Sequence, residues 1–175
     1  ALADPVEKKL IILHLIGTHP NYQERYPTTF NKFNSNSNDR VESDLKARNI
    51  DPWIRSLRND YDNAVLYEDH LLAKMLDTLR ADHLPDFRSF TVVSDHGNEV
   101  GHELDYAGHS PTTKAGYQVP VIMWSDKLNL TGVNKDTNLN TAELDQNLMH
   151  IMGLKDKSSS NHSYWLDQDL SLIHI

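Results

Sequence analysis

Two short apolar runs bracket the stretch that most constrains this chain. Phe90 to Val93 stops on Ser94-Asp95-His96-Gly97, and Val119 to Trp124 follows a polar loop carrying His102 and His109. Continuous apolar runs of this length predict strands covered on both faces, and in open α/β sheets ligands gather just beyond the carboxyl ends of such strands. Asp95 and His96 fall at that edge. A carboxylate oxygen and an imidazole nitrogen are both zinc donors, and Gly97 permits close approach of the backbone. The same tripeptide is also an ordinary polar turn, because so short a motif recurs by chance. Its meaning depends on the rest of the chain.

Upstream, Lys8 to His14 contains Leu10-Ile11-Ile12-Leu13, which predicts a buried parallel strand. Its end carries His14-Leu15-Ile16-Gly17-Thr18-His19-Pro20, a loop punctuated by Gly17 and Pro20. His19, outside the apolar run, is the better ligand candidate, and His14 is expected to be structural. Asn21 to Phe33 is aromatic and polar, suited either to lining a substrate cleft or to covering a sheet edge. Asn34 to Asp39, reading NSNSND, predicts a solvated excursion.

A long helix should follow. Asp51 caps it, Pro52 opens it, and Ile54, Leu57, Tyr61, Val65, Leu72, Met75, Leu76 and Leu79 form a core-facing stripe to about Arg80. Asp60, Asp62, Glu68 and Asp69 are expected on a solvated face. Such a helix suits the crossover that returns a parallel strand to the same sheet. After the second apolar run, Thr141 is expected to cap a shorter helix with Leu144, Leu148, Ile151 and Met152 inward and Gly153 as its stop. His150 and His162 are read as surface residues. The order β, α, β, loop, β, α predicts an α/β layer fold, a mostly parallel sheet flanked by helices.

The 175 residues suffice for one domain with a core, and a net charge of −8 argues against general nucleic-acid binding, which wants a basic face. With no cysteine there is neither a disulfide framework nor a thiolate metal site. No apolar run approaches the roughly 20 residues that cross a bilayer. The chain begins with Ala1, so an earlier start is expected. Leu170 to Ile175, LSLIHI, translates the opening of a common transposase-based sequencing adapter, so residues 170–175 are expected to be library read-through and 1–169 the protein proper.

Several of these pieces recur together. Leu13-His14-Leu15-Ile16-Gly17-Thr18-His19, Tyr26-Pro27, Tyr61-Asp62-Asn63 with Tyr67 and Asp69, Ser94-Asp95-His96-Gly97, Gly108-His109, Lys114 and Val119-Pro120 stand in that order. In this the chain resembles the phosphoethanolamine transferases of Gram-negative bacteria, membrane-anchored members of the alkaline phosphatase and sulfatase superfamily that decorate lipopolysaccharide. The likeness runs from about Lys8 to Leu154. It implies the C-terminal part of an alkaline phosphatase/sulfatase-like catalytic domain, an incomplete sheet in this fragment. The Gly-Thr-His loop and Asn98-Glu99-Val100-Gly101 look closer to the branch acting on core sugars than to the one acting on lipid A.

By that resemblance, Asp95 and His96 are ligands of a tightly held zinc, and His19 and His109 hold a second zinc or the phosphate group and serve as the catalytic histidines. Lys114 matches a recurring basic position and, with His102, is a substrate-binding candidate. The nucleophilic threonine and an acidic zinc ligand are expected upstream of Ala1, and Thr18 does not match that threonine. The implied reaction moves phosphoethanolamine from phosphatidylethanolamine, through a threonine phosphoenzyme, to a core sugar or lipid A at the periplasmic face of the inner membrane. The fragment alone is expected not to turn over. Rival readings are a sulfatase, a phosphodiesterase or a phosphoglycerol transferase of the same superfamily, or a non-catalytic binding or structural domain. The enzyme reading requires the histidines to meet Asp95 and His96 at one rim of the sheet.

Overall fold

A computed structural model describes residue 6 and residues 8–36, 39–81, 87–128 and 140–154. The hexapeptide 170–175 and His162 lie outside the described residues, as do 155–169. The chain falls into two compact units: one comprises Ala1–Leu13, Asp86–Ser89 and Trp124–Ile175, the other His14–Pro85 and Phe90–Met123.

The second unit is built on one helix. α1 (Arg40–Ala47) leads into α2 (Pro52–Ala81), which at 30 residues is roughly 45 Å long. The start of α2 is as its sequence signals. Pro52 opens it, and the Asp51 carboxylate accepts the Trp53 N–H at 2.7 Å. The buried face is a different matter. Asn59, Asn63 and Ala64 are the buried residues of α2, whereas the expected apolar stripe is half-buried and Val65 is exposed.

Asn63 explains this. It is fully buried, its Oδ1 accepts the Lys32 and Phe33 N–H groups at 2.7 and 2.9 Å, and its Nδ2 donates to the Phe33 carbonyl at 2.9 Å. The Tyr26 hydroxyl donates to Asp60 at 2.7 Å, Tyr22 meets Tyr61 edge-on at 5.4 Å, and Phe30 meets Tyr67 at 4.9 Å. Residues 21–33 therefore lie along α2, with the buried amide of Asn63 paired at both ends. Asp60 and Asp62 do not mark a solvated face, since Asp62 takes the Arg58 Nε at 2.9 Å and is largely shielded. Glu68 is half-buried too, and of the four acids only Asp69 is exposed.

α1 was not anticipated from the sequence. Asp39 caps it by accepting the Glu42 N–H at 2.8 Å, so the polar stretch before it ends in a helix start. Glu42 points inward at 2 % exposure and is met by Arg55 at 2.8 Å and Lys46 at 3.3 Å.

The sheet differs from expectation. The described residues hold β1 (Ser89–Val93) paired with β4 (Val121–Ser125), and β2 (Glu99–Val100) paired with β3 (Ala107–Gly108). β2 and β3 are antiparallel, Glu99 opposite Gly108 and Val100 opposite Ala107. Asp126 N–H donates to the Arg88 carbonyl at 3.2 Å, so the end of β4 lies beside the start of β1 and these strands also run in opposite directions. The mostly parallel sheet is thus not seen among the described residues. Lys8 to His14 forms no strand, and Leu10 to Leu13 are between 41 and 77 % exposed. An apolar run becomes a buried strand only where neighbouring strands take its N–H and C=O groups, and no such neighbour is present among the described residues. His14, expected to be packed, is exposed.

In the first unit, the Arg88 guanidinium meets Asp126 at 2.9 Å. The C-terminal helix is α4 (Leu144–Ile151), preceded by a 3-10 turn over Thr141–Glu143. Asn140, not Thr141, supplies the cap, accepting the Ala142 N–H at 3.1 Å. Gly153 ends the helix with φ +68°, a left-handed conformation that costs glycine little.

Candidate functional site

β1 delivers Ser94-Asp95-His96-Gly97 at its carboxyl end, and contacts with α3 (Lys114–Tyr117) fix the turn. Gly97 N–H donates to the Gly116 carbonyl at 2.9 Å, and a side chain at Gly97 would run into the Ala115 carbonyl. Only glycine allows the turn to press against α3 in this way. Ser94 Oγ donates to the His96 carbonyl at 2.7 Å, and the His96 N–H to Asp95 Oδ1 at 3.0 Å.

Those bonds leave Asp95 open to solvent, with its side chain 87 % exposed and Oδ2 3.8 Å from His96 Nε2. Slight desolvation works to raise its pKa. The hydrogen bond from the His96 backbone, the nearby imidazole charge and Ser94 outweigh that, and the carboxyl titrates below its usual range. Asp95 is poised as an anion facing outward.

The β2–β3 hairpin decides which histidine joins it. With Glu99 opposite Gly108, the register continued by one residue sets His109 across from Asn98 and returns it toward His96. The two imidazole rings lie 4.2 Å apart between centroids, tilted by 54°. His102 instead occupies the turn of the hairpin, where Arg58 Nη1 approaches its Nδ1 at 3.3 Å and Arg48 Nη2 donates to its carbonyl at 2.9 Å. Burial, then the Arg58 charge, lower its pKa, against the opposing pull of Glu99 and Asp62. Its surroundings fit a residue that braces the turn.

Glu99 is fully buried beneath the loop. Its Oε1 accepts the Glu103 and Leu104 N–H groups at 3.0 and 3.4 Å, shaping the path from His102 toward His109. Lys114 is exposed at the start of α3, and its N–H donates to Glu103 Oε1 at 2.8 Å. The structure therefore places Lys114 at the rim of the same loop.

His19 is exposed on the loop after Ile16. The neighbouring Thr18 carbonyl accepts Asn98 Nδ2 at 3.2 Å, which ties this loop to the residue two beyond His96. Arg25 holds the other side, its Nε donating to the His19 carbonyl at 3.2 Å and its Nη2 to the Pro20 carbonyl at 3.0 Å. Neither Asn98, named in the sequence only as part of Asn98-Glu99-Val100-Gly101, nor Arg25 was a site candidate from the sequence. The signal for Asn98 was its place two residues beyond His96, and Arg25 lay within a segment whose role was open.

Asp95, His96 and His109 offer the oxygen and nitrogen donors that zinc takes. Among the described residues, however, no three His, Asp or Glu side chains are arranged to hold a metal ion. The side chains present fit part of a donor set, with the His96 and His109 rings together and His19 joined to them through the backbone contact at Thr18.

Comparison with known proteins places this geometry in context. A family model described as Sulfatase matches residues 2–154. The chain is 37 % identical over 130 residues to phosphoethanolamine transferase EptC of Escherichia coli (strain K12), covering 72 % of this chain and 21 % of that protein. It is 35 % identical over 130 residues to phosphoethanolamine transferase CptA of Salmonella typhimurium, with the same coverage of 72 % and 21 %. A further relative from Salmonella typhimurium, Kdo(2)-lipid A phosphoethanolamine 7''-transferase, is 32 % identical over 128 residues, 71 % of this chain and 20 % of that protein. The chain thus spans about a fifth of the length of the curated relatives it matches. With Asp95-His96 at the end of β1, a resemblance to phosphoethanolamine transferases along most of its length, and a family match over residues 2–154, the chain belongs to the sulfatase family, which implies an alkaline phosphatase-like α/β fold.

Proposed function

We propose that this chain is the C-terminal part of the catalytic domain of a zinc-dependent transferase that moves phosphoethanolamine from phosphatidylethanolamine to lipopolysaccharide, at a core sugar or lipid A. The observation that carries the reading is the contact between the His96 and His109 rings at the end of β1, beside the outward-facing Asp95. Its specificity rests on the likeness to transferases whose names state phosphoethanolamine, one of them also stating lipid A.

On this reading one or two zinc ions would be held by Asp95, His96, His19 and His109, completed by ligands outside these 175 residues. Bound zinc supplies charge stabilisation for the phosphoryl oxygens and lowers the pKa of an attacking hydroxyl. A threonine hydroxyl, also outside these residues, attacks the phosphorus of the donor and displaces diacylglycerol. A sugar hydroxyl or phosphate oxygen of the acceptor then attacks the phosphoenzyme and frees the threonine. His19 and His109 suit proton delivery to the first leaving group and removal from the acceptor, work that imidazole side chains most often do. Lys114, and less directly His102, would meet the anionic substrate. The reaction would run at the periplasmic face of the inner membrane. Among the described residues no helix is long and apolar enough to cross a membrane, and on this reading the membrane anchor lies in another part of the protein.

The test is a graft of residues 8–154 in place of the matched segment of EptC of Escherichia coli, with transfer to lipopolysaccharide followed by mass spectrometry. The graft should transfer, and His109→Ala within it should cost about 100-fold or more. Independently, zinc titration of this chain should weaken in His96→Ala and His109→Ala. A graft that transfers equally well with both histidines replaced would sink the reading.

A further inference from the structure

The His19 loop has no helix or strand to fix it, yet its backbone is held at three successive carbonyls. Arg25 takes two of them from only six and five residues away, so it shapes the loop locally. Asn98 takes the third, Thr18, across 80 residues of sequence. That bond ties the His19 loop directly to the segment just after Asp95 and His96.

Asn98 is well placed for this. Gly97 before it is pressed against α3, and Glu99 after it is fully buried and paired into the hairpin, so its own backbone has little freedom. The residue is 7 % exposed, and its Oδ1 is buried with no hydrogen-bond partner among the described residues. A buried amide oxygen left unpaired costs stability. Aspartate or leucine would fill the same space, but only the amide brings an N–H to Thr18.

We propose that Asn98 is a positioning residue for His19, its amide setting the His19 loop in register with the Asp95-His96 turn. The proposal rests on the reading that His19 works with that pair. The amide touches no reacting atom and acts through the Thr18 carbonyl.

Two substitutions remove the donor, Asn98→Asp with the same shape and Asn98→Ala without charge. In the zinc-free chain the His19 N–H, which donates to the Ile16 carbonyl at 3.2 Å, should exchange with deuterium about fivefold faster in either variant, the loss of one net hydrogen bond. The α2 amides should keep their wild-type rates. Unchanged exchange at His19 in a variant with intact α2 protection overturns the proposal. If both variants fail to fold, the wild-type chain decides: the Asn98 side-chain amide protons should exchange more slowly than those of the exposed Asn36, and equal rates overturn it.

Zinc titration separates positioning from a merely structural role. Asn98→Asp should weaken binding severalfold in the wild-type background and add nothing in His19→Ala. Equal weakening in both backgrounds overturns the proposal. If the wild-type chain, without the ligands placed outside these residues, binds no zinc, the exchange measurements alone judge Asn98.

Discussion

The face of α2 that receives residues 21–33 and the turn that carries Asp95 and His96 are both rich in polar side chains, but they use them in opposite ways. Along α2, Asn63 is fully buried and spends both ends of its amide on the backbone of residues 32 and 33. At the turn, the Asp95 side chain is 87 % exposed, and among the described residues its carboxylate engages its neighbours Ser94 and His96. Buried polar groups with satisfied partners fix one conformation. Exposed ones with spare lone pairs are available to something else. The motif residues of this chain therefore divide into two kinds: Tyr26 and Asn63 hold the fold, while Asp95, His96 and His109 are held out from it.

That division is broken most severely by removing the hub of the first region. Asn63→Ala strips partners from the Lys32 and Phe33 N–H groups and the Phe33 carbonyl together, and should cost about 3 kcal/mol, read as a lower urea midpoint of this chain. A loss below about 1 kcal/mol would mean that residues 31–33 find water or other partners, and that the α2 face is less rigid than its bonds suggest. Arg55→Met comes next. It leaves the Glu42 carboxylate at 2 % exposure with Lys46 at 3.3 Å as its remaining ion pair, and should cost about 2 kcal/mol. The double variant Glu42→Leu/Arg55→Met should recover much of that, because a buried pair replaced as a unit avoids a stranded charge.

How much of this was legible depends on whether a residue's partner lies nearby in the chain. The start of α2 was readable because Asp51, Pro52 and Trp53 are consecutive, and Gly153 was readable because a helix stop is local. The runs that became β1 and β4 were readable from their composition to within two residues. The partner of Asp60 comes from another segment, so charge alone suggested a solvated face, whereas Asp62 pairs with Arg58 four residues earlier on α2, a local signal that a reading of charge alone passes over. Leu10 to Leu13 shows the converse limit: an apolar run says that it favours covering, not what covers it. The choice between His102 and His109 required the hairpin register, which rests on Glu99 lying opposite Gly108. Spacing alone could not supply it.

Alkali should loosen the α2 region before the turn. Burial, with the charges of Tyr61 and Tyr106, pushes Tyr22 up to about 12, and burial with the Asp60 hydrogen bond pushes Tyr26 up to about 12, against a partly opposing bond from Asn63. Both phenols ordinarily titrate at 10.0. The folded chain holds these protons more tightly than the unfolded one, so this contribution to stability is complete below pH 10.0 and is lost as the pH rises toward about 12. Helical circular dichroism and phenolate absorbance should therefore change together in that window. Tyr22→Phe/Tyr26→Phe should flatten the alkaline slope, and an unchanged slope would place the alkali-sensitive group elsewhere.

The smallest effect is the most telling, because it is the absence of one where a cluster of polar side chains would suggest damage. His96→Ala and His109→Ala remove rings that pack mainly on each other at the surface. Neither ring bridges distant backbone as Asn63 does. The polar contacts of the His96 ring are to its sequence neighbours, its Nδ1 2.9 Å from the Gly97 carbonyl and its Nε2 3.8 Å from Asp95 Oδ2. Each substitution should therefore change the urea midpoint by no more than about 0.5 kcal/mol of stability, the range of ordinary surface changes. A loss of about 2 kcal/mol or more from either ring would mean that the histidine pair is itself part of the scaffold. The contrast with Asn63 would then fail, and the turn would have to be read as another buried polar network that happens to reach the surface.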